Sequence, residues 1–166
     1  MKFSDACEQL FESKIFKDWK KKYPDDFLAH GFFLDDELNK EMWQIGLYNQ
    51  EKDTMTSFFV SPKEITKSDS SEIFKRPDAK IEVLDLKELG MSSDDALEKA
   101  KKLQQQKYAA DIPQKMFMIV QTLEGRAVFN ITLLTTSFKT INIRIDGKKG
   151  KVLLEKVTPL MQFSVK

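Results

Sequence analysis

Apolar residues at three- and four-residue steps, Cys7, Leu10, Phe11, Ile15 and Trp19, predict one amphipathic helix from about Asp5 to Lys22. Ser4 stands at its N-cap position, Asp5 and Glu8 in its first turn, and Lys20, Lys21 and Lys22 in its last. That charge order suits the helix dipole, and Pro24 stops the run. Residues 27–34 are apolar on both parities and read as a buried strand. Residues 42–48 alternate, with Trp43, Ile45 and Leu47 on one face, and residues 54–60 form a third strand. The polar segment 61–80 connects, with one helical turn expected near residues 71–75 and a short strand over residues 81–86. Ser92-Ser93-Asp94-Asp95 then opens a second helix, from about Asp94 to Tyr108. Strands are expected over residues 116–122, 127–134, 140–145 and 151–157, with turns at Glu124-Gly125 and Gly147 to Gly150.

The two halves look like one unit written twice. At an offset of 90, Asp5-Ala6-Cys7-Glu8 falls on Asp95-Ala96-Leu97-Glu98, and Phe27 falls on Phe117. After a short deletion, Trp43-Gln44-Ile45-Gly46-Leu47 falls on Phe129-Asn130-Ile131-Thr132-Leu133. Each unit reads helix, then antiparallel meander. One helix over three strands leaves a thin core, whereas two such units side by side bury more apolar surface. The expected class is α+β: two α-β-β-β units forming a mostly antiparallel sheet, with the helices on one face. Residues 1–60 make the first unit, 61–90 the connection and 91–166 the second unit, in one structural domain.

Ser92 through Ala100 has Asp95 before Ala96 and a second alanine four residues on. Ile143-Arg144-Ile145-Asp146-Gly147-Lys148-Lys149-Gly150-Lys151-Val152 is a strand-turn-strand ending with an Asp closing one strand and a Gly-Lys-Val opening the next. On these stretches the second unit, residues 91–157, resembles the PepSY family of small helix-plus-sheet domains. The first unit has Ser61-Pro62 where that turn would fall. The resemblance implies a non-catalytic binding or inhibitory module, because the family is associated with restraining peptidases. It assigns no functional residue, since the shared positions are turn and core positions.

Composition narrows the chemistry. With 166 residues, 41% of them hydrophobic and 32% charged, the chain can build a core without a disulfide or metal staple. No run approaches the ~20 apolar residues that span a bilayer. The acidic start, Met1 to Glu8, lacks the apolar stretch of a signal peptide, so a cytoplasmic location is expected. Cys7 and His30 are the only cysteine and histidine. An internal disulfide is therefore impossible, and neither a metal centre nor a cofactor is expected. A triad or dyad could use only His30, whose neighbours on the strand are apolar, so it reads as a packed core residue and the chain as no enzyme. The phosphate-loop, dinucleotide and Gly-x-Ser-x-Gly motifs are absent.

Charge is split between the halves. Residues 1–90 hold 14 basic and 19 acidic residues, and residues 91–166 hold 13 and 7. The basic half offers Lys148, Lys149 and Lys151 as an anion-binding turn, the alternative reading in which a nucleic acid or another anionic partner binds. Nucleic acid is disfavoured at this level, because Phe138 beside Lys139 is the only suggestive aromatic pairing there and the RNA-recognition motif is absent. Thirteen phenylalanines and seven methionines either fill the core or line a groove. The preferred expectation is a protein or peptide partner bound near Trp43, Tyr48 and Phe58.

Overall fold

The computed structural model describes residues 1–39, 41–73, 75 and 78–160. The first helical segment is two helices, α1 (Phe3–Glu12) and α2 (Lys14–Lys22). Ser13 breaks the expected single helix. Its backbone is extended, its hydroxyl donates to the Leu10 carbonyl at 2.6 Å, and its oxygen accepts from the Phe16 amide at 3.2 Å. One serine thus ends α1 and caps α2, the competition with helix backbone that short hydroxyl side chains offer. Ser4 lies inside α1 rather than capping it. The Phe3 amide at the start of α1 instead donates to Ser93 Oγ, 90 residues away, at 3.0 Å.

Strands β1 (Phe27–Asp35), β2 (Trp43–Asn49) and β3 (Thr54–Val60) follow as a meander. Two short strands, β4 (Ile65–Lys67) and β5 (Ser71–Glu72), both pair with β3. At Ser71–Glu72 the expected helical turn is therefore strand, and residue 74 lies outside the described residues. The expected strand at 81–86 is an unpaired extended strap that ends in a 3-10 turn at Leu86–Glu88. Three hydrogen bonds fix it: the Leu84 amide to the Leu28 carbonyl at 2.8 Å, Thr122 Oγ1 to the Val83 carbonyl at 2.9 Å, and the Gly125 amide to Glu82 at 3.0 Å.

The second half contains α3 (Ser93–Lys107), then β6 (Pro113–Leu123), β7 (Arg126–Thr135), β8 (Lys139–Asp146) and β9 (Val152–Pro159). Ser92 caps α3 by accepting from the Asp95 amide. The sheet runs β4-β3-β2-β1-β6-β7-β8-β9, and every neighbouring pair is antiparallel. The fold is α+β as expected, with three helices and nine strands among the described residues. All four strands expected after α3 are present, so the second unit is a helix followed by four strands rather than the α-β-β-β unit of the expected repeat, and residues 161–166 lie outside the description.

Alternation sorts each strand's residues between two faces. One face supplies Trp43, Ile45, Phe58, Val60, Met116, Met118, Val120, Phe129, Ile131, Ile141 and Ile143 to the main hydrophobic cluster. Phe3, Ala6, Cys7 and Leu10 of α1, Trp19 of α2, Ala96 and Ala100 of α3, and Leu84 of the strap join that cluster. The Phe3 ring packs directly over Gly31, where an added Cβ would lie 2.1 Å from Phe3 Cε2. Cys7 is buried in this core, and burial pushes its thiol pKa up to about 12, so it is an inert packing residue.

Candidate functional site

Trp43 and Phe58 lie in the core, not on a surface. Trp43 is 1% exposed, flanked by Phe3 at 4.9 Å and Phe33 at 5.1 Å, and its indole N–H donates to the Met1 carbonyl. Phe58 is fully buried against Phe16 and Trp19. Tyr48 is on the opposite face, 3% exposed, edge-on to Phe27. Its hydroxyl donates to Asp53 at 2.5 Å and accepts from Lys75 at 3.1 Å. The three expected ligand contacts are thus not brought together, and their side chains are spent on packing. Sequence alternation finds apolar residues but does not say which face will be covered.

The Gly147–Gly150 turn is braced rather than free. Asp146 accepts the Lys148 and Lys149 amides at 2.9 and 2.8 Å, and these bonds, the Lys149 one first, hold its carboxyl below the usual range. The Gly147 carbonyl accepts from Gly90 and Met91. Lys148 pairs with Glu88 at 3.0 Å. Lys149 and Lys151 are exposed, with no salt bridge among the described residues.

His30 sits on β1 at the centre of the outer face, paired across the ladders with Gly46 and Gln121. Its ring lies over Gly46, where an added Cβ would meet Cε1 at 2.3 Å. Burial lowers its pKa, so the imidazole is neutral at physiological pH. Among the described residues no carboxylate is bonded to it. It borders a crevice of about 230 Å³ under the strap, lined also by Met55, Ile73, Lys80 and Gln121. A neighbouring crevice of about 510 Å³ shares Lys80, Ile81, Glu82 and Thr122 with it. No group of three or more potential metal-ligating side chains occurs among the described residues.

Beyond the strap, the outer face is ordered in rows by the strand registers. One row crosses eight strands: Thr66, Phe59, Gln44, Phe32, Ile119, Asn130, Arg144, Leu154. The next carries Leu34, Phe117, Thr132, Asn142 and Lys156, and a third Lys115, Leu134, Thr140 and Thr158. None of these seventeen side chains is fully buried, whereas on the helix-packed face Trp43, Ile45, Phe58, Met118, Phe129, Ile131 and Ile143 are. Phe32 and Phe117 stack at 6.1 Å, and Asn142 donates to Asn130 at 3.1 Å and to Thr132 at 2.9 Å. The rows hold three cations, Lys115, Arg144 and Lys156, and no carboxylate. The Arg144 Nε–H is buried without a hydrogen-bond partner, beside a cleft of about 280 Å³ lined also by Glu124 and Arg126.

No family model matches the chain, and no curated protein does. Among solved structures it is similar to a "putative lipoprotein" from Clostridium difficile 630, with a TM-score of 0.58 and 18% identity. The match covers 87% of this chain and 90% of that one, and at this identity it shows a shared fold. No described helix is long and apolar enough to cross a membrane.

Proposed function

We propose that this chain is a non-catalytic binding module that presents the outer face of its sheet to a partner. The observation that carries the reading is the composition of that face: phenylalanines and leucines set among amides and hydroxyls, outside the helix-packed core. A structural face this size would ordinarily be covered or evenly charged. The neutral His30, with no carboxylate bonded to it among the described residues, supports a binding rather than a catalytic role. The resemblance of residues 91–157 to PepSY domains points the same way, toward a protein or peptide partner and restraint of a peptidase.

The internal repeat is part of this proposal. Helices α1 and α3 start 90 residues apart, at Phe3 and Ser93. The same offset carries His30 onto Val120 and Gly31 onto Gln121, and the β1–β6 ladder pairs His30 with Gln121 and Gly31 with Val120. Exchanging the halves therefore maps the central ladder onto itself. We place the protein in the cytoplasm, a location that fractionation of the native cell tests directly. The related fold of a protein described as a lipoprotein makes the membrane fraction the informative control.

Affinity capture from native-cell extract, with the intact chain and with a Phe59→Lys variant of the same stability, tests the reading. A specific partner retained by the first and lost by the second is expected. Equal retention by both sinks it, as does turnover of a substrate dependent on His30.

A further inference from the structure

The outer face has a charge pattern that selects among partners. We propose that its occupant is a single-stranded nucleic acid, laid across the strands with bases on Phe32, Phe59 and Phe117 and phosphates near Lys115, Arg144 and Lys156. This rests on the binding-module reading, and for that same face it puts a nucleic acid in place of the protein or peptide partner that the family resemblance suggests.

Three features meet there. The first is aromatic. Phe32 and Phe117 are stacked neighbours on adjacent strands, and Phe59 lies in the row of Phe32, two strands away. Neighbouring strands lie about 4.8 Å apart, so the rings span roughly three strand spacings, a reach comparable with a few unstacked nucleotides. Rings on an open sheet face give every base a surface to stack on, whatever its identity.

The second is charge. The three rows carry three cations and no acid, although the whole chain is almost neutral. Carboxylates lie at the border of these rows, Asp36 near Lys115 and Glu124 in the Arg144 cleft, and a second copy of the same face is a poor occupant because it would set one set of cation rows against another. An aliphatic peptide would leave the cations unmatched.

The third is hydrogen bonding. Asn130, Asn142 and Thr132 lie between rings and cations, and Gln44 lies between the Phe59 and Phe32 rings, placed to meet base edges and sugar oxygens. The Arg144 Nε–H is a buried donor still without an acceptor, which a phosphate or base oxygen would supply. The expectation from sequence found only Phe138 beside Lys139 as an aromatic within the basic half. Strand pairing creates that surface by joining β1 to β6, which puts the phenylalanines of β1, β3 and β6 on one continuous face with the cations of β6, β8 and β9.

Fluorescence polarisation with labelled dT12, rU12 and a mixed-sequence 12-nucleotide strand tests the proposal, with a duplex of equal length as control. The intact chain is expected to bind single strands in preference to duplex. The logarithm of its affinity should fall against the logarithm of salt with a slope of about −2, as three phosphate contacts predict. Phe32→Leu and Phe117→Leu keep the apolar packing and remove the ring. Each should weaken binding about tenfold, the scale of one lost base stack. Arg144→Gln and Lys156→Gln should each make the salt slope shallower by about 0.7. Circular dichroism and urea midpoints confirm that the variants are folded.

Absence of binding to every single strand at low salt overturns the assignment, and so does binding that these variants leave intact. Binding lost on replacing Lys149 and Lys151 instead places the anion at the turn and equally overturns it. An acidic helical peptide of alternating Glu and Leu faces serves as the second probe. If it binds in a manner sensitive to Phe32→Leu while no oligonucleotide does, the nucleic-acid assignment fails and the binding-module reading stands. If the capture experiment fails as well, both fall.

Discussion

The two faces of the sheet are built from the same strands, yet they are different surfaces. On β6, Met116, Met118 and Val120 are buried under the helices, while Phe117 and Ile119 between them remain partly exposed. On β1, Gly31 lets the Phe3 ring settle on the sheet, while Phe32 next to it stacks on Phe117. Adjacent residues of similar hydrophobicity therefore do different work. One set supplies stability through burial, and the other keeps apolar surface available at the cost of leaving it wet.

Removing large side chains is the most severe way to test that contrast. Trp43→Ala opens a cavity beneath Phe3 and Phe33 and should cost about 3–5 kcal/mol in urea unfolding. Phe59→Ala, on the outer face, should cost about 1 kcal/mol. Equal losses would mean that the outer face is a second core. Adding a methyl group makes the complementary test. Gly31→Ala drives a Cβ into the Phe3 ring and should cost about 1–3 kcal/mol, measured the same way. Gly46→Ala meets only the His30 ring on the outer side and should cost less.

Ser93→Ala removes the acceptor of the buried Phe3 amide and should cost about 1–3 kcal/mol, with faster amide exchange at Phe3 as its signature. Ser13→Ala should cost about 1 kcal/mol and loosen α2, seen in exchange of the Phe16 amide, without disturbing outer-face residues. The smallest effect is electrostatic. Burial depresses the His30 pKa below its unfolded value of 6.5, so the unfolded chain takes up that proton first as pH falls. The contribution to stability is whole above 6.5 and is lost as pH drops toward the folded value. Urea midpoints of the intact chain should decline across that window, and His30→Gln should remove this part of the decline.

Most elements were legible because their periodicity was strong. The long strands and α3 fall close to where alternation and the Ser92 cap put them. The break at Ser13 was hidden, because Phe11, Ile15 and Trp19 keep a helical spacing across it. Residues 81–86 have strand composition but make only one backbone bond to a strand, at Leu28 of β1, and otherwise bond through side chains or within the 3-10 turn, which composition does not reveal. The candidate surface was illegible for a different reason. Residues 27–34 and 116–122 are apolar on both parities, so no pattern assigns Phe32 or Phe117 to a side. Only the pairing of β1 with β6, set by residues far apart in the chain, does that.

That pairing also bears on how the protein is born. The β1–β6 ladder joins residues separated by 81 to 91 positions, from Asp35 with Met116 to His30 with Gln121. As the polypeptide leaves the ribosome, the early meander must wait for its central neighbour, with β1 bare along one side. Contacts this distant slow the search for the native topology and lengthen the time during which another nascent chain can take the vacant place. The middle of the finished sheet is thus the seam that waits longest on distant sequence, and the interval before it closes is when assistance from a chaperone would matter most.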